Sequence, residues 1–114
     1  MDPREAALLV ARTAEDRKAS DVLILDITKI TLVADYFVIA SAPSTIRVRA
    51  IADAVGESAR QNGLEILHRE GYHTARWVLL DYGSVVVHVF TEEERLFYNL
   101  ERLWGDARIV AVAR

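Results

Sequence analysis

No cysteine occurs in this 114-residue chain, so disulfides and thiolate metal sites are excluded, and burial and hydrogen bonding must hold the fold. Histidine is scarce: His68, His73 and His88 stand apart, and none of them makes the HxxxH or HxH spacing of a metal site. Neither a P-loop nor a GxGxxG is present. No apolar run approaches the ~20 residues of a membrane span, and the opening Met1, Asp2, Pro3, Arg4, Glu5 lacks the basic and apolar regions of a signal peptide. A cytoplasmic protein is the expectation. Positive charge is not in excess either. Fourteen Lys and Arg against 17 Asp and Glu leave a formal charge of −3, which argues against non-specific nucleic-acid binding and suits a basic protein partner.

What is present is apolar: 52% of the residues are hydrophobic, enough for one packed core in a chain of this length. The richest stretch, WVLLDYGSVVVHVF (Trp77 to Phe90), has Val, Leu and aromatic residues on both sides of Tyr82 and Gly83 and reads as a β-hairpin. With Tyr82 and Gly83 as the loop, Leu80 faces Val85, Val78 faces Val87 and Trp77 lies opposite His88. Alternation puts Val78, Leu80, Val85, Val87 and Val89 on one face and Trp77, Leu79, Val86, His88 and Phe90 on the other. A hairpin apolar on both faces has to be covered twice.

The remaining elements follow from capping and periodicity. Asp2, Pro3 and Glu5 form a helix start with a capping box, and Ala6, Leu9, Val10, Thr13 and Ala14 form its buried stripe. Val22 to Ile27 and Tyr36 to Ser41 read as strands, joined by a loop packed by Ile30, Leu32 and Val33. Ser44 caps a second helix with the stripe Val48, Ile51, Ala52, Val55, Ala59, closed by Asn62 and Gly63. Leu64 to Leu67 reads as a short strand. Thr91 and Glu94 open a last helix, with Leu96, Phe97, Leu100, Leu103 and Trp104 as its apolar residues up to Gly105. The expected fold is α/β, a mixed sheet of about five strands flanked by helices, in one domain over residues 1–107. Residues 108–114 form a short tail, either an edge strand or a frayed end.

Chemistry is harder to find. His88, alternating into an apolar strand face, fits a packed histidine better than a catalyst. The turn SAPSTIRV beside strand carboxylates has a superficial likeness to nucleotidyltransferases, but Ala42 and Pro43 stand where a glycine is wanted, and no Asp-x-Asp follows. Arg47, Arg49 and Arg60 are too spread along their helix to form an RNA-binding stripe. Trp77, Leu79, Leu80 and Tyr82, rimmed by Asp81 and Glu70, instead make an apolar and aromatic patch of the kind found at protein interfaces.

The blocks ADYFVIAS, AIADAV, EGY, WVLLDYG, VVVHVF, Arg95, Tyr98 and LERLWGDA together resemble the ribosomal silencing factor family, also called Iojap-related, from about residue 5 to 107. The resemblance implies a non-catalytic translation repressor acting in starvation, without a cofactor. It implies binding to the large ribosomal subunit through its protein number fourteen, which sterically blocks joining of the small subunit. It also implies a nucleotidyltransferase-like sheet stripped of its catalytic residues; a nucleotide-binding enzyme is the alternative. Carried over, the partner-facing set includes Trp77, Leu80, Asp81 and Tyr82. Asp35, Glu70, His88, Arg95 and Tyr98 fall in family blocks too, divided between partner contact and sheet support. Ala42 replaces a common glycine, and Ser84 a common acidic residue. With no ribosome present, the same patch would suit pairing of two copies of the chain.

Overall fold

A computed structural model describes residues 1–110. The element order is α1 (Pro3–Asp16), β1 (Ser20–Asp26), β2 (Tyr36–Ala42), α2 (Thr45–Gln61), β3 (His68–Glu70), β4 (Trp77–Asp81), β5 (Val85–Thr91), α3 (Glu92–Tyr98), α4 (Leu100–Leu103) and β6 (Arg108–Val110). The strands form one six-stranded sheet in the order β3-β4-β5-β2-β1-β6. β2 and β5 run parallel at its centre, and every other neighbouring pair is antiparallel. The sheet is mixed and flanked by helices, as expected, with one strand more than the sequence reading allows.

One face of the sheet is closed by α1 and α2. The α1 capping box is complete, with Asp2 and Glu5 bonding each other's backbone N–H at 2.8 and 3.1 Å, and Ser44 caps α2 by accepting from the Arg47 N–H. Val10, Val48, Ile51 and Val55 from the helices meet Val38, Val78, Val85, Val87 and Val89 from the strands in one buried cluster. The opposite face carries a second, smaller cluster of Leu25, Ile27, Phe37, Ile39, Val86 and Phe90, covered by Leu100 and the partly buried Trp104 and Ala107 of the last segment, with Tyr98 stacked beside them.

Four sequence expectations need correction. The hairpin register differs by two residues: Trp77 pairs with Phe90, Leu79 with His88 and Leu80 with Val87, so Tyr82 is inside the ladder and Gly83 and Ser84 form the loop. Gly83 is at φ +88, the left-handed conformation that the first residue of such a loop requires. The strand placed at Leu64 to Leu67 lies instead at His68–Glu70. The loop after β1 is not packed by its apolar residues: Ile30, Leu32 and Val33 are exposed, and Ile27 and Ala34 at its ends are buried in their place. The last helix is broken at Asn99, which takes a left-handed conformation (φ 47, ψ 59) and ends α3 after Tyr98. Of the end of the chain, Arg108–Val110 pairs with β1 as an edge strand; the rest lies outside the described residues.

Candidate functional site

Alternation along β4 sends Trp77, Leu79 and Asp81 to the less covered face and Val78, Leu80 and Tyr82 to the face under α2. The β3 ladder adds to the first group, because Glu70 lies directly opposite Leu79 and His68 opposite Asp81. Gly71 fixes the approach of this edge. It sits at φ +78, and a side chain there would collide with the Trp77 carbonyl oxygen.

On this face the rings form a ladder from core to solvent. His88 is only 4% exposed and accepts a hydrogen bond at its Nδ1 from the Trp77 Nε1–H at 3.1 Å. Burial pushes the imidazole pKa down to about 4, so it is neutral at physiological pH. With Nδ1 accepting, the ring proton belongs on Nε2, which has no hydrogen-bond partner among the described residues; the Phe37 ring meets the imidazole edge-on at 4.8 Å. The indole then packs on Phe90 (4.8 Å) and on Tyr98 (4.7 Å), and Tyr98 meets Phe97 edge-on at 5.1 Å. Because the polar edge of Trp77 is spent on His88, its hydrocarbon surface is what the ladder presents outward.

The outer end of the ladder is bare. Leu96 is 82% and Phe97 80% exposed, and Leu103 on α4 is uncovered as well. Leu103, Trp104 and the exposed Ile30 share a shallow cavity, so apolar surface continues along α4. The first turn of α3 beside it carries Glu92, Glu93 and Glu94. What α3 buries in place of Leu96 or Phe97 is Arg95, whose Nη1 donates to Ser41 Oγ (2.9 Å) and the Ser20 carbonyl (3.3 Å), while its Nε pairs with Glu101 at 3.2 Å.

The residues singled out from the sequence therefore separate. Trp77 and Leu79 are partly buried, Asp81 turns its carboxylate to the Gly83 N–H (2.7 Å), and Glu70 is exposed and pairs with His68 at 3.2 Å. Two placements need correction. Leu80, 2% exposed, is buried against the helices on the opposite face, and Tyr82 packs on that same side. A third concerns His88, which is buried under Trp77 and presents almost no surface of its own. As the apolar residues of one unbroken helix, Leu96, Phe97 and Leu103 would share a face with Leu100; the signal against that is Asn99, which ends the helical phase on which a shared face depends.

A family model described as "Ribosomal silencing factor during starvation" matches residues 1–114. The chain belongs to the ribosomal silencing factor family. It is 47% identical to "Ribosomal silencing factor RsfS" of Bacillus subtilis over 107 residues, 94% of this chain and 91% of the relative. It is also similar to "Protein Iojap, chloroplastic" of Zea mays, at 31% identity over 89% of this chain and 44% of that protein. A crystal structure from Chromobacterium violaceum matches all of this chain and 94% of its own at TM-score 0.90 and 33% identity. One from Bacillus halodurans matches 95% of this chain and 98% of its own at TM-score 0.84 and 42% identity. For a ribosomal silencing factor the role is regulatory, repression of translation by association with the ribosome, and not enzymatic. Among the described residues no helix is long and apolar enough to cross a membrane.

Proposed function

We propose that this protein docks on the large ribosomal subunit through large-subunit protein fourteen, using the aromatic ladder, and sterically keeps the small subunit from joining. Trp77, Leu79, Tyr98, Phe97 and Leu96 supply the apolar anchor; Asp81, Glu70 and the acidic first turn of α3 supply the rim. Leu80 and Tyr82 drop out as contacts, and His88 acts by holding the indole. The observation that carries this reading is the exposure of Leu96 and Phe97 at the outer end of a ladder that starts in the core. An aromatic anchor of this kind contributes roughly 2 kcal/mol or more to an interface, and about 1,200 to 2,000 Å² of buried surface in total suffices for a specific complex. Steric exclusion needs no bond broken and no sequence-specific contact to RNA. The acidic rim favours a basic ribosomal protein, and salt should slow association more than it speeds dissociation.

Co-sedimentation with large subunits tests the docking. Leu96→Ala combined with Phe97→Ala should weaken binding by roughly tenfold or more while the protein stays folded, and should relieve the block on joining of small subunits. Unchanged recovery of the folded double variant would remove this face from the interface. Free of ribosomes, we propose that the same face pairs two copies of the chain. Light scattering over a dilution series decides that point, and a strict monomer at high concentration refutes it.

A further inference from the structure

Helix α2, on the far side of the sheet from the aromatic ladder, ends on the dipeptide Asn62–Gly63, and both residues are exposed. An asparagine followed by glycine is a reactive pair. The Gly63 amide gives its proton to hydroxide and its nitrogen attacks Asn62 Cγ; the Cγ–Nδ2 bond breaks, the leaving group takes a proton from water and departs as ammonia, and a succinimide ring remains. Water then opens the ring at one carbonyl or the other, leaving aspartate or isoaspartate. Glycine in second place favours the attack because it has no side chain to stand in the way, and the space around Gly63 is open: a Cβ there would meet nothing within 4 Å. The other asparagine, Asn99, precedes the branched and buried Leu100.

The end of α2 holds both reacting groups. Asn62 Nδ2 donates to the Ser58 carbonyl at 2.8 Å, and the Gly63 N–H donates to the Arg60 carbonyl at 3.1 Å. The first bond turns the side-chain amide back along the helix, and the second has to be given up before the nitrogen can lose its proton. Leu64 completes the cap by donating to the Ala59 carbonyl at 2.9 Å, with Gly63 left-handed between them at φ +81. Attack therefore waits for the last turn to open, which helix ends do at low cost compared with the core. Conversion is then hard to undo structurally. Aspartate has no N–H to offer the Ser58 carbonyl and places a negative charge at the negative end of the helix dipole. Isoaspartate lengthens the backbone by a methylene inside the cap, so the Gly63 and Leu64 bonds no longer fit together. Leu64 packs on the core under α2, so the loss passes from the cap to the packing of the helix end.

We infer that Asn62 is a self-modification site, converted to aspartate or isoaspartate at a rate set by opening of the last turn of α2. A silencing factor of starvation works while protein synthesis is low, so each copy is replaced slowly and an irreversible change accumulates in it. The full-length chain is aged at pH 8, folded and in urea, and digested for peptide mass spectrometry. The Asn62 peptide should gain about one dalton and accept methyl groups from an isoaspartyl methyltransferase, while the Asn99 peptide does not change. The urea-unfolded chain should convert faster than the folded one by roughly tenfold or more. Arg60→Gly, at an exposed position that weakens the last turn, should speed conversion in the folded protein by roughly threefold and leave the rate in urea unchanged. In converted protein that stays folded, the Leu64 amide should exchange with solvent faster by roughly tenfold. Conversion of Asn99 as fast as Asn62, equal rates in folded and unfolded chains, or a folded Arg60→Gly protein that converts no faster than wild type would each overturn the inference.

Discussion

Acidification should act on this protein first through His88. The imidazole is buried and neutral in the fold, with a pKa lowered by burial to about 4, against about 6.5 in an unfolded chain. Below pH 6.5 the unfolded chain therefore takes up a proton that the folded one refuses, and stability falls. The stabilising contribution is fully present above 6.5 and is lost progressively as the pH drops toward 4, where it levels off. At about 1.4 kcal/mol per pKa unit, the whole window corresponds to roughly 3 kcal/mol, and the step from pH 8 to pH 5 to about 2 kcal/mol. Urea unfolding at pH 8, 6 and 5 measures it. With a slope typical of small domains the midpoint should fall by about 1 M across that range. The lowered carboxylates Asp2 and Asp26 start from a reference value of 3.8, so their contributions are lost below this window and do not blur it. His88→Leu should be less stable at pH 8, because the Trp77 Nε1–H loses its acceptor, but its stability should hardly change between pH 8 and 5. An equal acid-induced fall in the wild type and in this variant would refute the assignment of the effect to His88.

Three further substitutions follow from the geometry. Gly71→Ala, at a left-handed φ and facing the Trp77 carbonyl oxygen, should cost about 2 kcal/mol or more in thermal or urea unfolding and should disturb the indole emission of Trp77. Arg95→Leu leaves Ser41 Oγ and the Glu101 carboxylate without their cation and should cost about 2 kcal/mol, with Arg95→Lys recovering part of it. Gly56→Ala, in mid-helix with room for the methyl group, should raise stability by about 0.5 to 1 kcal/mol, measured by the urea midpoint.

The sequence reveals faces more reliably than it reveals register. In the hairpin, the assignment of Val78 and Leu80 to one side and Trp77 and Leu79 to the other holds although the pairing was two residues off, because a slip of two preserves the period of two. Register depended on turn chemistry. Placing Gly83 second in the loop and not first shifted every partner. The helices α1 and α2 were legible because their caps and their stripes agree. The last helical segment was not, since Leu96, Phe97, Leu100 and Leu103 look amphipathic only if the helix runs unbroken through Asn99. The same error hid the most exposed part of the candidate site. Tyr82 was misassigned for a different reason: its proximity to Trp77 in sequence stood in for proximity in space, which alternation forbids.

Arg95 explains how the chain keeps apolar residues out in water next to a sheet that would readily bury them. A short helix laid on a sheet normally docks through its largest hydrophobic side chains, and then nothing remains on its outer side. Here the inward position of α3 is held by a guanidinium bonded to Ser41, the Ser20 carbonyl and Glu101. Such an anchor is directional, so it fixes the rotation of the helix about its own axis more tightly than a greasy contact would. With the rotation fixed and the helix ended at Asn99, Leu96 and Phe97 have no inward position to occupy, and Tyr98 is left to stack on Trp77. The exposed apolar end of the ladder is thus a consequence of a polar anchor beneath it, and an Arg95→Leu protein that remains folded should expose less of Phe97, not more.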